Sequence, residues 1–144
     1  AMLTDPIHRW PSLSQAERDS AYNNRDAVPD AVELIAERNA GSAAFRAANP
    51  SHLDLLYGET EREGWDLFPG RDPKAPCLVF IHGGYWQMNR RQDFAVMAEG
   101  ALAMGWSAAL CGYSLAPEVS MTRIAWQIQA SLDWLSRHGP EHGV

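Results

Sequence analysis

Polar and apolar positions in the first fifty residues follow helical spacing. Ser14-Gln15-Ala16-Glu17 has the form of a capping box, in which the Ser hydroxyl and the Glu carboxylate satisfy free N–H groups at a helix start. This predicts a short helix to about Tyr22. A second predicted helix begins at Asp30 and has one face at helical spacing, formed by Ala31, Leu34, Ile35 and Arg38. Gly41-Ser42 is expected to interrupt this helix, and a third short helix is expected to begin there and to end at Asn49-Pro50.

After this region the pattern changes from helical spacing to the spacing of strands. Residues 52–57 and 64–68 alternate imperfectly around a charged turn, which predicts an antiparallel pair with one solvent-exposed face. Residues 77–81 are apolar at every position, as in a strand that is covered on both faces. Residues 106–113 form the next apolar stretch and predict a further buried strand.

Two helices are predicted around these strands, and together the elements indicate the fold class. Residues 93–104 have an apolar inner side, with Asp93 as the expected N-cap, and residues 120–137 repeat apolar positions at helical spacing. Buried strands that alternate with helices, after an antiparallel pair, predict an α/β fold. We therefore expect a mostly parallel, mixed sheet with helices on both faces.

Charge and hydropathy exclude several functional classes. The chain has 12 Lys and Arg against 18 Asp and Glu, a net charge of −6, and no basic run that would bind nucleic acid. The longest apolar stretch, residues 76–81, is far shorter than the roughly 20 residues that cross a bilayer. The first residues lack the basic and apolar regions of a signal peptide, so we expect no secretory leader.

Cysteine and histidine spacing predicts neither a disulfide framework nor a metal site. Cys77 and Cys111 lie in apolar stretches without a CxxC pattern, and the five histidines are scattered. Buried free thiols in a reducing compartment are the simplest interpretation, and the cytoplasm is the expected location. The composition, rich in alanine and with arginine over lysine, is a weak indication of a GC-rich bacterial source.

The segment with the clearest chemical signal is His82-Gly83-Gly84-Tyr85-Trp86, at the carboxyl end of a predicted buried strand. Open α/β sheets bind their ligands at this end. Adjacent glycines let the backbone approach a ligand, so that the N–H groups of Gly83, Gly84 and Tyr85 can converge on one developing oxyanion. The alternative for Gly-Gly alone is an ordinary turn between a strand and a helix.

This HGGYW segment resembles the oxyanion loop that follows the third strand of α/β-hydrolases. It is most similar to the kynurenine formamidase (arylformamidase) branch and its carboxylesterase relatives. Three further stretches agree, and the last is similar to a Y-R-L-A-P-E segment of these esterases with Ser114 where Arg is usual. They are Tyr57-Gly58 before Arg62-Glu63, Asp66-Leu67-Phe68-Pro69, and Tyr113-Ser114-Leu115-Ala116-Pro117-Glu118.

The resemblance covers residues 53–137 and implies a division of the chain. Residues 1–52 would form an N-terminal helical cap segment, and residues 53–144 the N-terminal half of an α/β-hydrolase domain. The family's G-x-S-x-G nucleophile motif has no match here, and no histidine is placed like the family's base. Ser114 is the nearest nucleophile candidate, but Pro117 and Glu118 intervene before the next helix, so a loop role is favoured. None of the catalytic triad is therefore expected in this chain.

The family's strand order has a further consequence. It places the third strand between the fourth and the fifth, so a chain without the fifth would leave one edge of residues 77–81 open. We expect a complementary C-terminal half, as a second polypeptide or a missing segment, to carry the nucleophile.

Other residues near the loop have two interpretations each. His82 is expected to shape the oxyanion loop, with a satisfied core histidine as the alternative. Tyr85 and Trp86 could line an acyl or aryl pocket, or only pack the loop. Arg90-Arg91 could steer an anionic substrate, although a solvated pair is favoured.

The function that the resemblance implies is acyl transfer by a serine hydrolase. Its substrate would be a small carboxylic ester or an aryl-formamide similar to N-formylkynurenine, and no cofactor or metal would be needed. Gly83, Gly84 and Tyr85 would form the oxyanion hole. The alternative is a non-catalytic binding or assembly module on a truncated hydrolase scaffold.

Overall fold

A computed structural model describes residues 9–144 of the chain. The chain divides between Ala36 and Glu37 into two compact units. The boundary that the sequence indicates, between residues 52 and 53, stays a prediction. Residues 1–8 lie outside the described residues. They include the start of the predicted cap segment and the stretch in which we expect no secretory leader.

The first unit contains short helices. A 3₁₀ helix over Trp10–Ser12 precedes α1 (Gln15–Tyr22) and α2 (Asn24–Ala27). The predicted capping box is confirmed: the Ser14 Oγ accepts from the Glu17 N–H at 3.2 Å, and the Ser14 N–H donates to the Glu17 carboxylate at 2.7 Å.

Helix α3 (Ala31–Ala48) is one continuous helix, so the predicted restart at Gly41-Ser42 is wrong. A glycine in a helix interior costs about 1 kcal/mol relative to alanine, which tertiary contacts can offset. The next residue supplies such contacts, because Ser42 is buried and its Oγ donates to the Asp93 carbonyl at 2.9 Å and accepts from the Val96 N–H at 3.2 Å.

The second unit contains a four-stranded sheet. Its strands are β1 (Leu55–Leu56), β2 (Gly64–Phe68), β3 (Cys77–Ile81) and β4 (Ser107–Cys111), in the order β1-β2-β4-β3. Strands β1 and β2 are antiparallel, as predicted, and β2 is also antiparallel to β4. Strands β3 and β4 are parallel, which makes the sheet mixed.

Two predictions of strand burial are wrong. All five residues of β2 are buried, so the antiparallel pair does not have a solvent-exposed face along that strand. Strand β3, expected to be covered on both faces, is hydrogen-bonded on one side and partly exposed. The reason is position, because among residues 9–144 β2 has a strand on each side and β3 has a strand on one side only. The open edge at β3 agrees with the strand order expected from the resemblance.

The segment between β3 and β4 differs from the single helix that was predicted. It forms a 3₁₀ helix over Arg91–Met97 and then α4 (Ala98–Ala103). Asp93 is not the N-cap, because it lies inside the 3₁₀ helix, where its carboxylate accepts from the Arg90 Nε at 3.1 Å.

Helices cover both faces of the sheet, as predicted. On one face Phe68, Ala108 and Leu110 pack with residues of the 3₁₀ helix and α4. On the other face Trp65, Leu67 and Ala109 pack with α5 (Met121–His138), and the Trp65 Nε1 donates to the Ser131 carbonyl at 3.1 Å. A 3₁₀ helix over Gly139–His142 follows α5. No helix among residues 9–144 is long and apolar enough to cross a membrane.

Candidate active site

The HGGYW segment leaves the sheet at the carboxyl end of β3. Because β3 and β4 are parallel, Gly112 and Tyr113 leave β4 at the same end of the sheet as this segment. His82 is buried between two rings, with centroid distances of 4.4 Å to Tyr113 and 5.7 Å to Phe94. The segment therefore begins at a rigid, stacked side chain.

Hydrogen bonds at His82 determine its tautomer. The Nδ1 lies 2.9 Å from the Gly83 carbonyl oxygen, which can only accept, so Nδ1 carries the hydrogen. Burial raises the pKa of Tyr113 to about 12, so its hydroxyl keeps its proton and donates to the His82 carbonyl. The His82 Nε2 is then a bare acceptor, and it has no hydrogen-bond partner among the described residues. Burial also lowers the pKa of His82, which keeps the ring neutral.

A run of left-handed residues shapes the loop. Gly84, Tyr85 and Trp86 have φ values of 126°, 53° and 61°. A Cβ at Gly84 would lie 2.6 Å from the Met88 carbonyl oxygen, so this position needs glycine. The Gly84 carbonyl accepts from the Gln87 and Met88 N–H groups at 2.9 and 3.1 Å, which closes the turn.

The loop presents backbone donors next to open space. No described residue accepts from the N–H groups of Gly83 and Gly84. A Cβ at Gly83 would meet no atom within 4 Å. Preorganised peptide N–H groups of this kind can stabilise the oxyanion of an acyl-transfer intermediate.

The two aromatic residues of the loop are exposed. Tyr85 and Trp86 expose 57% and 41% of their surface, and the Trp86 ring centroid lies 5.5 Å from that of Tyr113. The Trp86 carbonyl accepts from the Ala116 N–H at 2.8 Å, which ties the loop to the segment after β4. The side chains are thus accessible, while the backbone that carries them is fixed.

Comparison with solved structures identifies the fold. No protein-family model matches the chain. A protein from Silicibacter sp. that is provisionally named a thioesterase superposes with a TM-score of 0.75 at 32% identity, over 83% of this chain and 46% of that one. Esterase B from Lactobacillus rhamnosis gives a TM-score of 0.56 at 25% identity, over 76% and 40%. The chain has the α/β-hydrolase fold.

Curated relatives agree with this fold. The chain is 26% identical over 131 residues to a kynurenine formamidase of Danio rerio, which covers 85% of the chain and 45% of that protein. It is 31% identical over 83 residues to a kynurenine formamidase of Drosophila melanogaster, over 56% and 27%. The chain thus resembles the N-terminal half of the formamidase and esterase branch of α/β-hydrolases. It spans about half the length of the first two curated relatives it matches.

Ser114 occupies a buried structural position in this α/β-hydrolase fold. Its N–H donates to the Gln127 Oε1 at 2.8 Å, and its Oγ accepts from the Gln127 Nε2 at 2.9 Å. Among residues 9–144 no serine hydroxyl is hydrogen-bonded to a histidine. This geometry agrees with the loop role that the sequence favours for Ser114.

Arg91 corrects the prediction of a solvated Arg90-Arg91 pair. Its side chain is 1% exposed, and it contacts the Asp66 carboxylate at 3.3 Å and the Asp54 carboxylate at 2.7 Å. Arg46 contacts the same two carboxylates, each at 2.9 Å, so two guanidinium groups share two carboxylates. Arg90, by contrast, is 60% exposed. The sequence feature that could have indicated this network is Asp66, a charged residue in an otherwise apolar strand.

A cavity of about 210 Å³ adjoins the loop at the carboxyl ends of β3 and β4. Its lining includes His82, Arg62, Arg90 and Tyr113.

No group of three or more metal-ligating side chains occurs in the described part of the chain. Cys111 is buried and Cys77 is half-buried, so the prediction of two buried thiols holds fully only for Cys111.

Proposed function

We propose that this chain supplies the oxyanion loop of a serine hydrolase that cleaves a small carboxylic ester or an aryl-formamide. The observation that carries the proposal is the fixed loop at the carboxyl ends of β3 and β4, in which the Gly84 N–H has no described acceptor and the space at Gly83 is open. The kynurenine formamidases and esterases among its relatives support this substrate class.

The proposed reaction is acyl transfer through a serine outside this chain. The serine oxygen attacks the carbonyl carbon, and a base takes the serine proton while the carbonyl oxygen becomes an oxyanion. The N–H groups of Gly84 and Tyr85 bind the oxyanion, and Gly83 leaves space for the approach. The carbonyl re-forms as the bond to the leaving alcohol or arylamine breaks, and the leaving group takes the proton. Water then releases the acid by the same steps.

A complementary segment that pairs with β3 is part of the proposal. Strand β3 has a neighbour on one side only within residues 9–144, and its apolar residues Leu78, Val79 and Ile81 are each 37% exposed. An open apolar edge is a site for strand addition. We place the nucleophile, its base and the acid on the segment that covers this edge. We also propose that the protein works in the cytoplasm, a reducing compartment.

Intact-mass spectrometry and two assays on the same native sample test the proposal. Denaturing spectra should reveal a second polypeptide, or a longer chain, that carries a G-x-S-x-G sequence. The sample should hydrolyse p-nitrophenyl acetate and N-formylkynurenine, and a fluorophosphonate should label the serine of that sequence. Ester turnover without formamide turnover would leave the esterase and remove the formamidase. A single 16.0 kDa species without turnover would favour the non-catalytic module.

A further inference from the structure

The orientation of the Gly83–Gly84 peptide depends on what holds its carbonyl oxygen. A peptide unit is planar and trans, so its N–H points opposite to its C=O. The Gly83 carbonyl oxygen accepts two hydrogen bonds, one from the His82 Nδ1 and one from the Asn89 Nδ2, both at 2.9 Å. Two donors from separate side chains restrain the orientation of this peptide. They therefore also restrain the direction of the Gly84 N–H.

Asn89 is itself held in a conformation that suits few residues. Its φ is 75°, in the left-handed region that asparagine tolerates better than most side chains. The backbone carbonyl oxygen of Asn89 accepts from the Arg62 Nη1 at 2.9 Å. The amide of Asn89 thus reaches Gly83 from a backbone that is anchored to the turn between β1 and β2.

We propose that Asn89 is a positioning residue of the oxyanion hole, which acts by holding the Gly83 carbonyl so that the Gly84 N–H points at the oxyanion. This inference rests on the proposed function and goes beyond it, because it assigns a role to a side chain that does not touch the substrate. Its effect falls on kcat more than on substrate binding, since the oxyanion develops during the reaction and is absent from the bound substrate.

Two substitutions remove the donor and keep the backbone. Asn89→Asp keeps the shape and the tolerance of positive φ but presents an acceptor to the Gly83 oxygen. Asn89→Gly removes the side chain at a φ that glycine adopts freely. We expect kcat to fall about 10- to 100-fold in both, somewhat less than the roughly 100- to 1,000-fold effect of losing a whole donor, with KM changed less than about twofold.

The pH profile of Asn89→Asp separates positioning from general damage. A protonated carboxyl can again donate to the Gly83 oxygen, so kcat relative to the unmodified protein should recover as the pH falls. The same ratio for Asn89→Gly should stay flat. Asn49→Asp is the matched control, because the Asn49 Nδ2 also donates to a carbonyl, that of Phe45 at 3.0 Å, away from the loop. It should leave kcat unchanged.

An NMR measurement keeps this inference separate from the proposed function. In the isotope-labelled protein, the Gly83 carbonyl carbon and the Gly84 amide should shift in both Asn89 variants and not in Asn49→Asp. In Asn89→Asp both resonances should return towards their original positions on acidification. Unchanged resonances would overturn the inference, as would an unchanged kcat or an effect confined to KM. A native sample that contains the complementary segment with its G-x-S-x-G sequence and still shows no turnover would instead contradict the proposed function, while the spectra still decide the role of Asn89.

Discussion

Adjacent glycines in the loop differ in what a methyl group would meet. At Gly84 a Cβ would lie 2.6 Å from the Met88 carbonyl oxygen, and φ is 126°. At Gly83 a Cβ would meet nothing within 4 Å. One glycine is thus required by the fold of the loop, and the other leaves open the space in front of the N–H donors.

Alanine substitutions should separate these two roles. We expect Gly84→Ala to lower the free energy of unfolding by about 1–3 kcal/mol, because of strain, and to abolish most turnover. Gly83→Ala should change stability by less than about 0.5 kcal/mol and still reduce turnover, because its methyl group fills the approach space. Urea denaturation of the chain measures the effect on stability, and ester hydrolysis by the native sample measures the effect on turnover.

Gly100→Ala is the matched control for this pair. Gly100 lies in α4, where a Cβ would meet nothing within 4 Å, so the substitution should be neutral or stabilising, with turnover retained. Full turnover in Gly83→Ala would contradict the proposed approach of substrate over this loop.

His82 gives a prediction about pH and stability. Burial lowers its pKa in the folded state, so below the ordinary value of 6.5 the unfolded chain binds more protons than the folded chain. The contribution of His82 is therefore fully present above about pH 6.5 and is lost as the pH falls towards the lowered folded-state pKa. The free energy of unfolding should decrease over this range.

The comparison with His82→Asn isolates this contribution, because the other histidines are common to both proteins. The difference in unfolding free energy between the two should shrink as the pH falls below about 6.5. His138→Asn is the control at an exposed histidine. A difference that stays constant from pH 7.5 to pH 5 would refute the assignment.

At the scale of elements, the buried ion pairs join β2 and the segment before β1 to the 3₁₀ helix over Arg91–Met97. Arg91 and Asp66 have almost no exposed surface, and a buried charge that loses its partner destabilises a protein by about 3–5 kcal/mol. In Arg91→Met the Asp66 carboxylate keeps its contact with Arg46 at 2.9 Å. We therefore expect a smaller loss, about 1.5–3 kcal/mol, the size of a hydrogen bond to a charged group.

Arg90→Met is the matched control for this prediction. Arg90 is 60% exposed, and ion pairs at such sites contribute about 0–1 kcal/mol. Equal unfolding midpoints for the two variants would show that the network does not stabilise the fold. The measurement is chemical denaturation followed by tryptophan fluorescence.

Local patterns predicted most of these elements, and tertiary contacts decided where the predictions were wrong. The capping box at Ser14 and the helix after Ser120 are local signals, and both are present. The interruption at Gly41 is absent, because Ser42 bonds to backbone more than fifty residues away. Likewise, the loop was identified from five consecutive residues, whereas the network around Arg91 joins positions that only the fold brings together.

At the scale of the whole molecule, the strand order leaves one apolar edge. Apolar composition alone predicted that residues 77–81 would be covered on both faces, but the order β1-β2-β4-β3 leaves β3 with one neighbour among the described residues. Natural edge strands are usually protected by charges, proline or bulges. Strand β3 has the sequence CLVFI and no such protection.

We expect this edge to recruit a further strand, and a single charge should prevent it. When the chain is studied alone, we predict association that increases with concentration, through pairing along β3. Val79→Lys places a charge on a residue that is 37% exposed at this edge, and lysine at an edge strand opposes pairing. Sedimentation velocity over a range of concentrations should then show a smaller sedimentation coefficient for the variant.

Val32→Lys provides the matched charge control. Val32 is 69% exposed on α3 and not in the sheet, so this variant should associate like the unmodified chain. In the native sample Val79→Lys should also lower hydrolysis, because the segment proposed to carry the nucleophile pairs along the same edge. Unchanged association and unchanged hydrolysis in Val79→Lys would place the contact elsewhere, and the proposal that β3 receives the complementary segment would fail.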